Sequence, residues 1–484
     1  MIPETPSNLW LFSDRCVLGG VAEPRREAAA CLEIRGSMLG AIHETDRTAF
    51  AARAAAHPGQ YLDLGDRLVV PSFVNGHTHL AMAAFRGLSG EQLLRGNIIE
   101  DLFFQVESHL TAEDVRAFAR IGAYESLLAG VGTVFDHYYF GEAIAEALAD
   151  VGLTGVVAPT LQDLSGPGAA HWERELRATE AIHSATRWSA AGIQAALGPH
   201  ATDTVSERLW QQATDWAQHN ELPIHAHVAQ SFEEFSRASD RYGTTPLAWL
   251  ERIGVLGAPV RQLLVHVIYA TNADLERLDA ARHVLGWCPY SQVEFCFPAP
   301  APTWSTKGLP WLVATDCAAS NDSMNVQKEL RFASGFHAAS VTFSEAARVF
   351  AATNGAGAGA ELDRARRRSL DETRDLREPH RLLDRVWRIP GTWHPRLPCG
   401  GLEPGRLANL LVLDPDHPCL WPSLDLWRTL AMADVAPAID RMMVAGCFVG
   451  RAGSFHRSLW EEARAARREA DERLRSLELR SGLR

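Results

Sequence analysis

One feature constrains the fold more than any other: a repeated alternation of two hydrophobic periods. Apolar, strand-like runs occur at 69–75, 131–136, 154–160, 193–198, 222–228, 262–267, 283–288 and 311–316, with segments of helical periodicity between them. A strand that is apolar on both faces must be covered on both faces, and intervening helices supply that cover in parallel sheets. The alternation predicts an α/β fold. Eight regular units favour closure into a (β/α)8 barrel of TIM type. An open, doubly wound sheet alternates in the same way and is the alternative. One helix carries its own start signal, with Thr111 as N-cap and Glu113 and Asp114 in the first turn.

The two ends of the chain read differently. Residues 1–68 hold short β segments with turns, around Trp10 to Leu18 and Cys31 to Ile42. Strand-like runs recur at Ala408 to Leu413 and Met442 to Phe448. We expect a small β-sandwich domain from residues 1–68 and 400–455, enclosing a barrel at 69–399. A charged, arginine-dense stretch near 361–392 reads as a solvated helical insertion in that barrel. Residues 456–484 form an expected C-terminal helix, with Leu459, Ala463, Ala466, Ala470, Leu474 and Leu477 on one face. Glu469–Arg473 and Asp471–Arg475 are spaced as i,i+4 pairs.

Composition enters where it excludes something. The formal net charge of −12 opposes binding to a phosphate backbone, so no nucleic-acid partner is expected. No apolar run is long enough to span a bilayer, and the first residues lack a secretory pattern, so no membrane partner and a cytoplasmic location are expected. The eight cysteines, Cys16, Cys31, Cys288, Cys296, Cys317, Cys399, Cys419 and Cys447, include no C-x-x-C pair and read as thiols of a reducing compartment.

The chemistry lies at the ends of the strand-like runs. His77 and His79 stand two apart, so on a strand they face the same way. His200 follows the fourth run, His227 lies in the fifth, His266 ends the sixth and Asp316 ends the eighth. In a parallel barrel all of these reach one rim, where such folds keep their active sites. Any one buried histidine is more often a hydrogen-bonded core residue than a ligand. Five such endings in register point instead to a common site. Three histidines and one aspartate make a mononuclear metal site with room for water.

The segment 70–80, VPSFVNGHTHL, resembles the opening motif of the amidohydrolase superfamily. Further matches are FRG at 85–87, GPHA at 198–201, HAH at 225–227, TDCAASN at 315–321 and GLEPG at 401–405. Together they resemble the branch that contains atrazine chlorohydrolase and the S-adenosylhomocysteine and guanine deaminases. The resemblance implies one divalent metal per chain, zinc or alternatively iron(II), held by His77, His79, His227 and Asp316. It further implies that Asp316 takes a proton from the metal-activated water and that His266 orients that water or polarises the attacked centre. His200 and Glu107 fall where family members contact substrate, and members are often homodimers or larger. Other branches bridge two metals with a modified lysine on the fourth strand. The only lysines here, Lys307 and Lys328, lie near the eighth.

Three positions depart from the pattern. Deaminases of this branch carry H-x-x-E after the fifth strand, where Glu carries a proton; here Gln230 stands in its place and cannot do so. Gln292 replaces an Asn after the seventh strand, and Asn325 an Asp after the eighth. The expected activity is hydrolysis of a non-peptide C–N bond in a small molecule, above all deamination of an N-heterocycle or amidine, with His266, Asp316 and Gln230 as the catalytic group. Gln230 keeps two alternatives open: dechlorination or cyclic-amide hydrolysis in the same site, and a metal-binding pseudoenzyme or ligand-binding protein. Phe103, Phe104, Tyr138, Tyr139 and Trp287 are candidates for stacking on a planar ring.

Overall fold

The computed structural model describes residues 9–57, 59–88, 97–294, 299–342 and 344–481. Its centre is a set of parallel strands in chain order: β1 Phe73–Thr78, β2 Val131–Tyr138, β3 Thr154–Leu161, β4 in two pieces (Ile193–Ala195 and Gly198–Pro199), β5 Ile224–Val228, β6 Gln262–His266, β7 His283–Trp287 and β8 Trp311–Val313. β1 to β4 pair in sequence as one sheet and β5 to β8 as another. Isolated parallel bridges join the two sheets at both edges, Leu197 to Ile224 and Thr78 to Asp316. The alternation of strand and helix is thus realised as a mixed α/β structure with parallel sheets.

Strand residues divide between two environments. Val74, Phe135, Val156, Ala158, Leu263, Val265, Leu312 and Ala314 form an inner cluster from strands of both sheets. Their neighbours in sequence face outward into the helices. The helix Ala112–Leu128 opens with the expected Thr111 cap, closed reciprocally by Asp114. It packs against the C-terminal helix, Phe455–Ser481, whose buried face includes Leu459, Ala466, Ala470 and Leu477. Glu469 reaches across to Arg120 at 2.7 Å, and Asp471 pairs with Arg467 at 3.6 Å. The charge pairs therefore differ from those the spacing suggests: Glu469 finds a partner on the neighbouring helix, and Asp471 takes the arginine four residues before it rather than the one four residues after.

Two boundaries need correction. The first apolar run is not one strand. Leu68–Pro71 pairs with Leu410–Leu413 and with Leu9–Leu18, whereas β1 starts at Phe73 and pairs with β2. A continuous apolar stretch cannot show where a chain changes sheets. The arginine-dense stretch is also only partly solvated. Gly359–Glu372 buries Ser369 alone, but Leu382, Leu383, Trp387 and Trp393 are buried. Trp387 stacks on Phe73 and Trp393 lies against Phe135, so this segment plugs the N-terminal ends of the strands. Even Arg385 is buried, its guanidinium 3.7 Å from the centre of the Trp311 ring and bonded to the Trp311 carbonyl.

Strands from both chain ends form one eight-stranded sheet, in the order Cys447–Val449, Ile439–Val444, Leu410–Leu413, Leu68–Pro71, Leu9–Leu18, Arg26–Arg35 and Met38–Glu44, with Tyr61–Asp63 alongside Leu9–Leu18. The sheet is bent at a bulge between Ser13 and Cys16, and its halves share a core of Leu11, Leu32, Ile34, Val69, Leu410, Val412 and Met443. None of the seven described cysteines forms a disulfide; Cys296 lies outside the described residues. Among the described residues, no helix is long and apolar enough to cross a membrane.

Candidate metal centre

The C-terminal ends of the strands converge on a cleft. β1 brings His77 and His79 there because Gly76 lets it lie against β8: a Cβ at position 76 would stand 2.5 Å from a Leu312 methyl. The Asp316 amide then bonds the His77 carbonyl at 3.2 Å. At the ends of β6 and β8 the backbone turns into the left-handed region, φ 76° at His266 and φ 60° at Asp316. Such conformations cost about 1–3 kcal/mol in non-glycine residues and persist where surrounding structure enforces them. Here they accompany side chains turned into the cleft.

Four sequence-selected donors lie in one crowd. His77 Nε2 lies 3.2 Å from His227 Nε2 and 3.6 Å from Asp316 Oδ1, and His79 Nε2 lies 3.3 Å from the same oxygen. At metal–nitrogen distances of about 2.0–2.1 Å, tetrahedral ligand atoms stand about 3.3 Å apart. These three spacings suit donors that share an ion, and His77 belongs to two candidate triads, one with His227 and His266 and one with His79 and Asp316. His266 belongs to the same crowd, grouped with His77 and His227 and again with Cys288 and Asp316.

The electrostatics agree. His79 donates Nδ1–H to the His137 carbonyl at 2.5 Å and turns Nε2 to Asp316. His77 Nδ1 is engaged by His225 Nε2 at 2.8 Å. Burial pushes His77 down to about 3 and His227 well below the ordinary range, so both rings are neutral near pH 7. Burial would lower His79 too, but its hydrogen bond to Asp316 overrides this and raises it. Burial alone would raise Asp316, but hydrogen bonds from His77 and His79 override it and hold the carboxyl well below its usual value. Imidazoles crowded around an ionised carboxylate are the donor chemistry of a divalent cation.

Around this point the cleft is lined by Phe103, Phe104, Tyr138 and Tyr139, with His200, Glu107 and Gln230. His200 is held by Thr204 Oγ1 at 2.9 Å, and burial lowers it to about 3. Burial raises Glu107 to about 7, against the opposing pull of the Tyr138 hydroxyl and His79. Every residue proposed from sequence for catalysis, substrate or metal therefore reaches the cleft or its floor.

Of the three departures, only Gln230 lines the cleft. Gln292 Oε1 accepts from Trp287 Nε1 at 2.6 Å and from the Ala299 amide, while Asn325 faces Asp434 and the Gln327 amide. Both do structural work in buried surroundings. Trp287 is likewise core, fully buried and packed on Trp311. Sequence reading overlooked His137, which lines the cleft, and Ser291, whose hydroxyl donates to Asp316 Oδ2 at 2.6 Å. His137 could have been found by the same strand-end rule, since it stands one residue before the end of β2. Ser291 had no such signal.

The amidohydrolase family model matches residues 68–386, about two thirds of the chain. The chain belongs to the amidohydrolase family. Family membership makes it a metal-dependent hydrolase of carbon–nitrogen bonds other than peptide bonds. This amidohydrolase is 30% identical over 401 residues to a 5-methylthioadenosine/S-adenosylhomocysteine deaminase of Syntrophobacter fumaroxidans, covering 82% of this chain and 83% of that relative. Its fold matches an adenosine deaminase of Xanthomonas campestris with bound zinc at TM-score 0.73 and 20% identity, covering 98% and 100% of the two chains. It matches atrazine chlorohydrolase of Arthrobacter aurescens complexed with zinc at TM-score 0.73 and 18% identity, covering 95% and 99%.

Proposed function

We propose that this amidohydrolase releases ammonia from an amino-substituted N-heterocycle of nucleoside-like size. The observation that carries the reading is a pair of candidate donor triads sharing His77, one with His79 and Asp316 and one with His227 and His266, at a cleft walled by aromatic rings. The deaminase relatives support the reaction class. The bridges at both sheet edges and the strand-end convergence support a closed (β/α)8 barrel from Phe73 to about 399. The shared core of the eight-stranded sheet supports a β-sandwich from strands before Ser72 and from 400–455. A homodimer or larger assembly in the cytoplasm completes the proposal.

His77, His79, His227 and Asp316 would hold one metal ion, with zinc preferred for its affinity for imidazole and carboxylate donors. When bound, a divalent metal brings the pKa of water to about 7 and so supplies a nucleophile at neutral pH. The protein does the rest. Asp316 is ionised, with Ser291 donating to its Oδ2 and His77 and His79 facing its Oδ1, and this carboxylate accepts the proton of the attacking water. His266, lowered to about 4 mainly by burial, is neutral and orients water or substrate by hydrogen bonding. Gln230 can donate to or accept from a ring heteroatom but cannot protonate it. The proton received at Asp316 must therefore return to the departing amine directly or through His266. Phe103, Phe104, Tyr138 and Tyr139 sandwich the planar ring, and Glu107 and His200 bond its substituents.

Gln230 favours one second reading, release of chloride or opening of a cyclic amide, where the leaving group needs little protonation. The test is a screen of the metal-reconstituted protein for ammonia and chloride release across aminopurine nucleosides, aminopyrimidines and chlorotriazines. Ammonia from a nucleoside-sized heterocycle is expected. Chloride release without ammonia would replace the first reading by the second.

A further inference from the structure

Helix Phe232–Tyr242, which follows Gln230, carries three polar side chains on one face, at spacings of three and four residues: Glu234, Arg237 and Arg241. Each grips a different part of the cleft wall. Glu234 is buried; its Oε2 accepts the Gln230 amide at 2.8 Å, and its Oε1 accepts Thr202 Oγ1 at 2.5 Å. Arg241 donates to the Asp203 carbonyl at 3.1 Å. Arg237 donates Nη1 to the buried Asp203 carboxylate at 3.0 Å. It also forms a two-pronged bridge to Glu100, with Nη2 to Oε2 at 2.8 Å.

Glu100 lies in Ile99–Phe103, the one π-helical turn among the described residues, which continues into Phe104–Glu107. Ile99, Phe103, Phe104 and Glu107 line the cleft, as do Gln230 and His200 on the facing side. Arg237 thus spans two walls: the wall after β1, and the wall built by the loops after β4 and β5. A guanidinium suits this task, since its planar fork meets one carboxylate bidentately and a second one at an angle. A π-helical turn has weaker backbone support than an α-helix, so an external tether has more to hold.

We propose that Arg237 is a positioning residue that sets the width of the substrate cleft, by tying Glu100 on the aromatic wall to Asp203 beside His200. It touches no reacting atom. The ion pairs are partly open to solvent, and such pairs add little to global stability. Their effect falls on the placement of Phe103, Phe104 and Glu107. The consequence for turnover rests on the deaminase reading; the consequence for wall order does not.

The test uses the metal-loaded full chain. Hydrogen exchange in peptides covering 97–107 is expected to speed by about 10-fold or more in R237A, with exchange in β5–β8 and the melting temperature nearly unchanged. On the substrate found by screening, KM is expected to rise about 10-fold with kcat altered less than about 3-fold, the pattern of lost uniform binding. R237K, which keeps charge without the fork, should fall between. The exchanged pair E100R/R237E should recover protection relative to R237E alone. Unchanged exchange at 97–107 in R237A, or exchange rising equally throughout the chain, would overturn the proposal. Should the wild type turn over nothing, the exchange result still decides for or against Arg237, and only the deaminase reading falls.

Discussion

The two ends of the same eight strands are built to opposite rules. Towards their N-terminal ends Phe73, Phe135 and Trp311 meet Trp387, Trp393 and the guanidinium of Arg385, with ring stacking and no crowded ionisable cluster. Towards their C-terminal ends seven histidines are packed within ring-contact distance, with Asp316 against two of them, and the backbone is left-handed at His266 and Asp316. Burying imidazoles against one another satisfies few hydrogen bonds; His227 Nδ1 has no hydrogen-bond partner among the described residues. One end stabilises the scaffold, and the other uses that stability to hold a donor set that would not assemble by itself. The difference teaches where substitutions should act on folding and where on chemistry.

The sharpest way to break the comparison is to remove donors from the crowded end. His77→Ala/His79→Ala should lower turnover by about 10⁴-fold or more, since the nucleophile is lost. Elemental analysis should find one metal ion per wild-type chain after reconstitution and none in the variant. Comparing the variant and wild type in chelator would separate loss of the ion from loss of the His77 and His79 hydrogen bonds. Full metal occupancy in the variant would refute the donor assignment. At the opposite end, Trp387→Ala should cost about 3–5 kcal/mol by leaving a cavity beneath Phe73. Urea titration would measure that loss, while metal content and kcat of the folded protein stay at wild-type values. A selective loss of metal in this variant would show that the two ends are not separable.

Much of this division was legible in the amino-acid sequence, and the reasons are physical. Strand ends that carry His or Asp after apolar runs announce themselves, because periodicity places the strands and parallel topology places their ends. His77, His79, His200, His227, His266 and Asp316 were all reached in that way, and Glu107 by resemblance. The swap of sheets at Ser72 was hidden, because both strands are apolar and adjacent. The plug at 379–393 was hidden because arginines usually mark solvent, whereas Arg385 is buried against Trp311. Gln292 and Asn325 looked like changes to the substrate wall. Only their partners, Trp287 and Asp434, reveal that they face elsewhere.

Gln230 offers a sharper, smaller test within the crowded end. A proton-carrying residue is worth about 10²–10⁴-fold in rate, and Gln230 cannot supply it. Under the deaminase reading, Gln230→Glu should raise ammonia release about 10-fold or more at unchanged metal content, while Gln230→Ala should lower kcat/KM. Steady-state kinetics on the screened substrate would decide. A slower Gln230→Glu enzyme that releases chloride would favour the second reading. A silent wild type beside an active Gln230→Glu would mark the natural protein as a pseudoenzyme.

The smallest expected effect lies between the two ends, at Glu329. This buried carboxyl accepts hydrogen bonds from the Tyr290 amide at 2.9 Å and Asn321 Nδ2 at 3.0 Å. Burial raises it to about 7, aided by the charge of Asp316 and opposed by those two donors. An unfolded Glu titrates near 4.3. The folded chain therefore binds this proton more tightly, so the stabilisation is complete below about pH 4.3 and is lost as pH rises through about 7. Histidines held low by burial, such as His77 at about 3 and His266 at about 4, act in the other sense, adding stability as pH climbs towards 6.5. The wild-type curve alone would thus hide the glutamate. Glu329→Gln isolates it: any loss of hydrogen bonding offsets the curve equally at all pH values, whereas the titration does not. Relative to wild type, the variant should gain roughly 1–2 kcal/mol between pH 5 and pH 7.5, less than the full linkage because buried sites relax when they ionise. Urea unfolding of both proteins in chelator, so that metal release does not add its own pH dependence, would measure the difference. Parallel curves would place the Glu329 proton outside the folding equilibrium.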